Sequence, residues 1–339
     1  MTMNPKKQQL TFLIGGLILA SSLIQPACTD TSKPEKSTIH FGTKTGEAEI
    51  FAPNLVSTHM TERDAALSPK GDEFYFTLSS YTHPAIVYIK NTPNGWTSPQ
   101  VASFSGTYSD LEPHFSPDGN RLYFASNRPL AEGGEPKDFD IWYVDRLDTG
   151  WSDPVNIGSP INTEANEFYP SITNTGTLYW CAIRKDGLGI GGEDIYYSAL
   201  EDGQYKTVQA LPDSINTPRD EYNAYIARDE SYIIFTSTGW GRGYGKGDLW
   251  ISFKHPDGYW TEAKNMGESV NTSGFEYCPF VSDCGKYLFY TSNKPADKSY
   301  TPPISYENIV SFSLGAGNKA SDIYVVDARI IQELKQSLN

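Results

Sequence analysis

Cysteine, histidine and basic charge are all scarce in this 339-residue chain, and each shortage removes a class of chemistry. There are four cysteines, at positions 28, 181, 278 and 284, and no C-x-x-C pair. Neither a disulfide framework nor a cysteine-built zinc site follows from such spacing. Cys278 and Cys284 fall on one predicted hairpin arm and its turn, roughly 20 Å apart along extended chain, which is beyond disulfide reach. Cys181, Cys278 and Cys284 are therefore expected to be free thiols, buried or half-buried. The five histidines are His40, His59, His83, His114 and His255, and none stands in H-E-x-x-H or another metal-ligand spacing. His114 is expected packed within a strand. No G-x-S-x-G elbow occurs. The glycine cluster at 239–247 lacks G-x-x-x-x-G-K-[ST] and precedes a strand rather than a helix, so it is not a phosphate loop. Lys and Arg (27) are outnumbered by Asp and Glu (41), a formal net charge of -14. That argues against nucleic acid as a partner, because phosphate recognition needs clustered cations.

Long apolar runs are also absent, with one exception. Leu10–Ile24 is apolar, follows Lys6 and Lys7, and is too short and too early for a permanent membrane span. Residues 1–27 read as a signal peptide and residues 28–45, polar and poor in bulky apolar groups, as a tether. A signal segment, Cys28 and a polar tether together resemble a bacterial lipoprotein, although Gln25 stands where the usual pattern has Leu. The resemblance implies lipidation of Cys28 and an outer-membrane location facing the periplasm or the cell surface. The anchor would be the only membrane contact.

What the chain has in quantity is glycine (29), proline (22), tyrosine (22) and phenylalanine (16), a β-leaning composition. It also has a repeat. ERDAALSPKGDEFYF from Glu62, DLEPHFSPDGNRLYF from Asp110, EFYPSITNTGTLYW from Glu167, EYNAYIARDESYIIF from Glu221 and EYCPFVSDCGKYLFY from Glu276 start 48, 57, 54 and 55 residues apart. Each is a hairpin of two short apolar runs around a turn. Asp118-Gly119 and its counterparts supply turn dihedrals and need no other role. A third run follows each hairpin: AIVYIK at 85, DIWYVD at 140, DIYYSA at 194, DLWISF at 248 and DIYVVD at 322. A fourth follows in the first four repeats: GWTSPQV, GWSDPVNI, GQYKTVQAL and GYWTEAKNM. Four short strands per repeat make the blade of a β-propeller. The last repeat lacks its fourth strand, and Ile50–Thr58 resembles one, so the N-terminal strand is expected to complete that blade and close the ring. Five blades over 46–339 are expected, six being the alternative, with a short helix in ARIIQELKQSLN and none before it.

SPDGNRLYFASNR followed by DIWYVD resembles the WD40-like propeller repeat of TolB-type periplasmic proteins and many bacterial lipoproteins. The resemblance covers nearly the whole chain beyond the tether. It implies a single all-β propeller and leaves function open, because propellers host enzymes and binding modules alike.

In such a blade the start of strand one and the loop from strand two to three share one end. Every first strand starts with an acid: Glu62, Asp110, Glu167, Glu221 and Glu276, with Asp64 and Glu112 two residues on, on the same strand face. First strands line the axis, so these acids are expected to ring one mouth of a central channel. Arg128, Arg184, Lys185, Arg242 and Lys294 lie near that mouth, as do the loops bearing Trp240, Tyr244, Tyr300 and Tyr306. The acids either pair with these cations or with backbone N–H groups, or two or three of them bind a cation, a Ca²⁺ ion in the channel or a ligand's hydroxyls, the identity of any metal staying open. No cofactor is implied. The favoured reading is a monomeric, non-enzymatic, envelope-anchored module that binds a protein segment or a carbohydrate at the loop-rich mouth. Its candidate ligand residues are Glu62, Asp110, Glu112, Glu167, Glu221, Glu276, Arg128, Arg184, Arg242, Lys294, Trp240 and Tyr244. The alternatives are a glycoside hydrolase or lyase using acids of the ring, and a structural scaffold of an envelope complex.

Overall fold

The computed structural model describes residues 39, 41, 47–79, 82–131, 133–239, 243–294 and 302–337. Cys28, the signal peptide, nearly all of the tether, Trp240, Arg242 and Tyr300 lie outside the described residues.

The repeats fold as five four-stranded antiparallel blades of a β-propeller. Blade 1 has strands Thr61–Leu67, Glu73–Ser79, Pro84–Thr92 and Gln100–Val101. Blade 2 has Asp110–Phe115, Arg121–Ser126, Asp140–Leu147 and Val155–Asn156. Blade 3 has Asn166–Ile172, Leu178–Ile183, Glu193–Ser198 and Gln209–Ala210, and blade 4 has Glu221–Ile226, Tyr232–Ser237, Asp248–Phe253 and Lys264–Asn265. Blade 5 has Glu276–Val281, Tyr287–Ser292 and Asp322–Asp327, and its fourth strand is Glu49–Ile50 from the other end of the chain. First strands touch in a closed cycle: 1 with 2, 2 with 3, 3 with 4, 4 with 5 and 5 with 1. The strands are short and the blade faces are apolar because Tyr, Phe, Ile and Val alternate across them, and the cores lie between neighbouring blades.

The expected closure by an N-terminal strand is met, but the strand is Glu49–Ile50 rather than Ile50–Thr58, residues 51–58 forming a bend and turn instead. Glu49 and Ile50 pair with Val325 and Tyr324, and the Phe51 N–H donates to the Ile323 carbonyl at 2.7 Å. Phe51 is buried at the seam of blades 5 and 1, its ring 4.7 Å from Phe74 and 5.1 Å from Phe289. Burying one such ring contributes about 2–3 kcal/mol, so this single side chain is a large part of what holds the ring shut.

The C-terminal segment is helical over Arg329–Gln336, with Ile331 buried and Ile330 and Leu334 packed beside it. A second helix, Tyr306–Ser313, stands in the long loop of blade 5, where no helix was expected. Ser305 caps it by accepting from the Asn308 N–H at 3.1 Å, but no residue of the helix is buried. Without an apolar stripe facing a core, its periodicity carries little signal. Cys181 and Cys278 are free and buried as expected, whereas Cys284 is exposed, because the hairpin turn that carries it projects into solvent. His114 is buried against Tyr225 and Phe280.

Candidate functional site

Alternation fails at one place in every first strand, and that failure builds the axis. The register of strands one and two slips between Arg63 and Ala66, Leu111 and His114, Phe168 and Ser171, Tyr222 and Tyr225, and Tyr277 and Phe280. Within each slip one non-glycine residue takes a left-handed conformation: Asp64 (φ 63°), Glu112 (62°), Tyr169 (52°), Asn223 (48°) and Cys278 (53°). Each such bulge costs about 1 kcal/mol or more of backbone strain. What offsets it is a shared network, since the bulge turns these five side chains from five blades onto one another.

Glu112 is the centre of that network. Its Oε1 accepts from the Arg63 guanidinium at 2.8 Å and the Asn223 amide at 3.2 Å, and its Oε2 accepts from the Tyr169 N–H at 2.7 Å. Arg63 also donates to Asp64 at 2.8 Å and reaches the Cys278 sulfur at 3.4 Å, and the Cys278 thiol is 3.5 Å from the Asn223 carbonyl oxygen. The Tyr169 hydroxyl donates to the Pro279 carbonyl at 2.9 Å. Burial, with Asp64 beside it, pushes Glu112 up to about 8 against the pull of Arg63. Burial and the neighbouring carboxylates push the Cys278 thiol well up. Asp64, Glu112 and Cys278 in turn hold the Arg63 guanidinium well above its ordinary value, against burial.

The far end of the axis is stoppered by one residue. Arg228, on the first turn of blade 4, donates to the Ile172 carbonyl at 2.8 Å and the Phe115 carbonyl at 2.9 Å and pairs with Asp283 at 2.9 Å. It also lies 3.1 Å from His114, whose imidazole burial and this cation hold well below its usual range. The axis is thus a filled polar core rather than a through channel.

The near end is different. The residues just before each bulge, Arg63, Leu111, Phe168, Tyr222 and Tyr277, stand at one level of the five first strands, as a collar; three are aromatic, Leu111 and Tyr277 are buried, and the others are half-buried. Phe275 extends the collar, 6.5 Å from Tyr222 and 5.0 Å from Tyr277, and Phe139 lies 5.0 Å from Phe168. Arg63, a quarter exposed, lies under the Tyr277 ring at 5.2 Å. Glu193, which begins strand three of blade 3, stands at this mouth within electrostatic reach of Glu112, Asp220 and Arg63. Among the described residues its carboxyl has no hydrogen-bond or ion-pair partner. Burial together with the charges of Glu112 and Asp220 raises it to about 8. Burial and the charge of Glu193 likewise raise the Tyr222 hydroxyl.

The acids expected to ring the mouth are elsewhere. Glu62, Asp110, Glu167, Glu221 and Glu276 are all buried, each turned away from the axis into a lock with the segment that precedes it. In four blades a threonine four residues upstream donates from its hydroxyl, Thr163 to Glu167 at 2.6 Å, Thr217 to Glu221 at 2.8 Å, Thr272 to Glu276 at 2.6 Å and Thr58 to Glu62 at 2.5 Å, and its N–H donates too. Asp110 instead accepts from Ser105, Ser126 and Arg128, the last at 2.6 Å. Burial raises Glu62, and raises Glu167 to about 7. Among the described candidate cations, Arg128 forms an ion pair with a first-strand acid, Asp110, and is buried over Phe124 and Trp142. Arg184 pairs with exposed Asp186 at 3.2 Å. Lys294 lies over Tyr324 at 4.5 Å, its ammonium lowered by burial. Tyr244 is exposed on the rim, its N–H held by Asp248 at 2.7 Å. Asp194 and Asp322 hold the loops before them in the same way, through the N–H groups of Leu188 and Gly317, which explains the recurring Asp at the start of strand three.

The structure therefore keeps Glu112 on the axis, replaces the ring of acids by an aromatic collar with Arg63 and Glu193, and turns the remaining acids into locks. Two signals of this were legible: Thr-x-x-x-Glu recurs at 58, 163, 217 and 272, and an aromatic follows the acid in three repeats. Among the described residues no group of three or more His, Cys, Asp or Glu side chains is placed to hold a metal ion. Chemically, the mouth offers ring faces, one guanidinium edge and one carboxyl whose affinity for a proton is raised by burial. Such a set binds hydroxyl and amide groups.

No family model matches the sequence, and no curated protein matches it. Among solved structures, the chain is similar to TolB from Acinetobacter baumannii at 14% identity and a TM-score of 0.46, covering 79% of this chain and 54% of that one, so the chain spans about half of that protein. It is similar to the catalytic domain of the GH62 α-L-arabinofuranosidase of Coprinopsis cinerea at 11% identity and a TM-score of 0.47, covering 79% and 90%. A third similar structure is the Bacteroides ovatus xyloglucan PUL GH43B, at 13% identity and a TM-score of 0.46, covering 81% and 53%. The propeller assignment stands on the strand register itself.

Proposed function

We propose that this propeller is a non-enzymatic binding module of the bacterial cell envelope, anchored through lipidated Cys28, and that its ligand site is the collared mouth of the axis. The carrying observation is the state of the acids. Hydrolysis of a glycosidic bond by two carboxyl groups needs both facing one open cleft. Here Glu112 and Asp64 are taken up by Arg63 and backbone N–H groups, four first-strand acids are locked by threonines, and Asp110 is held by Ser105, Ser126 and Arg128. Among the described acids of the axis and the first strands, Glu193 is the one left to meet a ligand, which suits recognition rather than acid–base chemistry. The ligand that fits is a carbohydrate or a peptide segment, gripped by Phe168, Tyr222 and Tyr277 and hydrogen-bonded to Glu193. Six large exposed apolar side chains, Leu130, Leu188, Ile190, Tyr244, Tyr306 and Ile309, lie in the connections of this same end, against Leu147, Leu200 and Tyr259 at the strand three–four turns of the opposite end, which favours contact here.

The test is a screen of glycans and envelope protein fractions for binding and for turnover, repeated with Glu193→Gln and Tyr222→Ala. A ligand lost tenfold or more with both variants and released unchanged supports the reading. Multiple turnover of any glycan that Glu193→Gln abolishes establishes the hydrolase reading instead. Incorporation of labelled fatty acid into the wild type but not into Cys28→Ala checks the anchor.

A further inference from the structure

A groove of about 610 Å³ lies between blades 3 and 4, at the end opposite the collared mouth. It exists because blade 3 lacks a pair of side chains that its neighbours possess. The outermost facing pair of strands two and three is Glu73 with Lys90 in blade 1, Arg121 with Asp145 in blade 2, Tyr232 with Phe253 in blade 4 and Tyr287 with Asp327 in blade 5. The first two are ion pairs, at 2.9 and 2.7 Å, and the third is an aromatic pair. In blade 3 the same positions, one step beyond Leu178 and Ser198, hold Thr177 and Ala199.

The consequence falls on the tyrosines one layer in. Blades 1, 2 and 3 each carry two there: Tyr75 with Tyr88, Tyr123 with Tyr143, and Tyr179 with Tyr197. In blade 1 Lys90 covers Tyr88 at 5.3 Å, and in blade 2 Arg121 covers Tyr143 at 3.8 Å. Thr177 and Ala199 are too short to cover Tyr197. The Tyr179–Tyr197 stack, 5.3 Å apart at 17°, therefore borders the groove with its outer ring half-buried and uncapped by a cation. Blade 4 supplies the facing wall: Tyr259, 56% exposed, Trp260, and Lys254 over the Trp260 ring at 5.5 Å. Lys254 pairs with Glu230 at 2.8 Å, so the polar edge is charge-paired, and Asp213 leaves the lining with one net negative charge. The Ser214 hydroxyl, shielded from solvent, lines the groove and has no partner among the described residues.

Ring faces on two walls, paired charge at the edge and a free hydroxyl are what a sugar ring needs: apolar C–H faces stack on aromatics while its hydroxyls exchange hydrogen bonds. The net negative lining disfavours acidic sugars. We propose that the groove between blades 3 and 4 is a second ligand site that binds a neutral saccharide of one to three rings, independently of the axial mouth.

The experiment measures binding of maltotriose, cellotriose and chitotriose to the full chain by calorimetry, with Trp fluorescence reporting on Trp260. Thr177→Arg/Ala199→Asp rebuilds in blade 3 the ion pair of blade 2 and fills the groove. Tyr259→Ala removes an exposed wall outside the core. At least one trisaccharide is expected to bind with a Kd on the order of 0.1–5 mM. The double variant should weaken it tenfold or more, Tyr259→Ala several-fold, and Glu193→Gln not at all. No saturable binding of any of the three up to about 10 mM overturns the proposal. So does binding that both groove variants leave intact. Binding lost with Glu193→Gln places the sugar at the axial mouth and also overturns it. If the double variant does not fold, Tyr259→Ala decides.

Discussion

Removing Arg63 is the sharpest probe of the hub. Its guanidinium pairs with Asp64 and Glu112, both at 2.8 Å, and the two carboxylates are almost wholly buried. Arg63→Met keeps the length of the side chain and deletes the charge. The two acids then face each other with only Asn223 and backbone N–H groups between them, and breaking a buried pair from one side costs about 3–5 kcal/mol. Protonation relieves this. In the wild type Glu112 stands at about 8, above its unfolded value. Its contribution to stability is therefore fully present below the unfolded value of about 4.3 and lost as pH rises through the folded one. Without Arg63 the folded value moves higher still, so the penalty of the variant should be largest at pH 8–9 and shrink towards pH 5. Urea unfolding of wild type, Arg63→Met and Arg63→Met/Glu112→Gln at pH 5, 7 and 8.5 reads this directly. The double variant should recover about 1–3 kcal/mol at pH 8.5 because a buried carboxyl that must either hold its proton against that pH or carry an unpaired charge is gone. A loss below about 1 kcal/mol at pH 7, or a loss that does not depend on pH, refutes the view that an ion pair holds the axis together.

Three further outcomes follow from the same geometry. Thr217→Val removes the hydroxyl that caps Glu221 at 2.8 Å and should cost about 1–3 kcal/mol in thermal or urea unfolding, whereas the same change at exposed Thr175 should cost little. Phe51→Ala opens the seam of blades 5 and 1 and should cost about 3–5 kcal/mol, with amide exchange rising first in Glu49–Ile50 and Asp322–Asp327. Of Cys181, Cys278 and Cys284, only exposed Cys284 should react rapidly with a thiol reagent in the native protein, the other two reacting after denaturation. Fast labelling of Cys278, found by peptide mapping, would contradict the closed hub.

How much of this the linear chain carries depends on how local each signal is. The five repeats, their four short strands, the closing strand before Glu62 and the C-terminal helix are legible because alternation, turn residues and spacing are written within a few neighbours. Function-bearing placement is not local. Alternation puts Glu62 and Asp64 on one face, and likewise Asp110 and Glu112. A left-handed bulge at Asp64 and at Glu112 separates them, sending one acid to a lock and the other to the axis. Nothing in Asp, Glu, Tyr, Asn or Cys announces such a bulge, since the strain is sustained only by contacts among all five blades once the ring has closed.

Radial architecture was thus determined by the sequence alone, because it rests on a pattern repeated along the chain. Which acid is spent and which is free was decided only in three dimensions. The charge of Glu112 raises Glu193, 81 positions away in the chain, and Arg63 reaches Cys278 from the far end of the chain. The charge state of a carboxyl depends on what surrounds it at a few ångströms, and only the closed ring sets those neighbours.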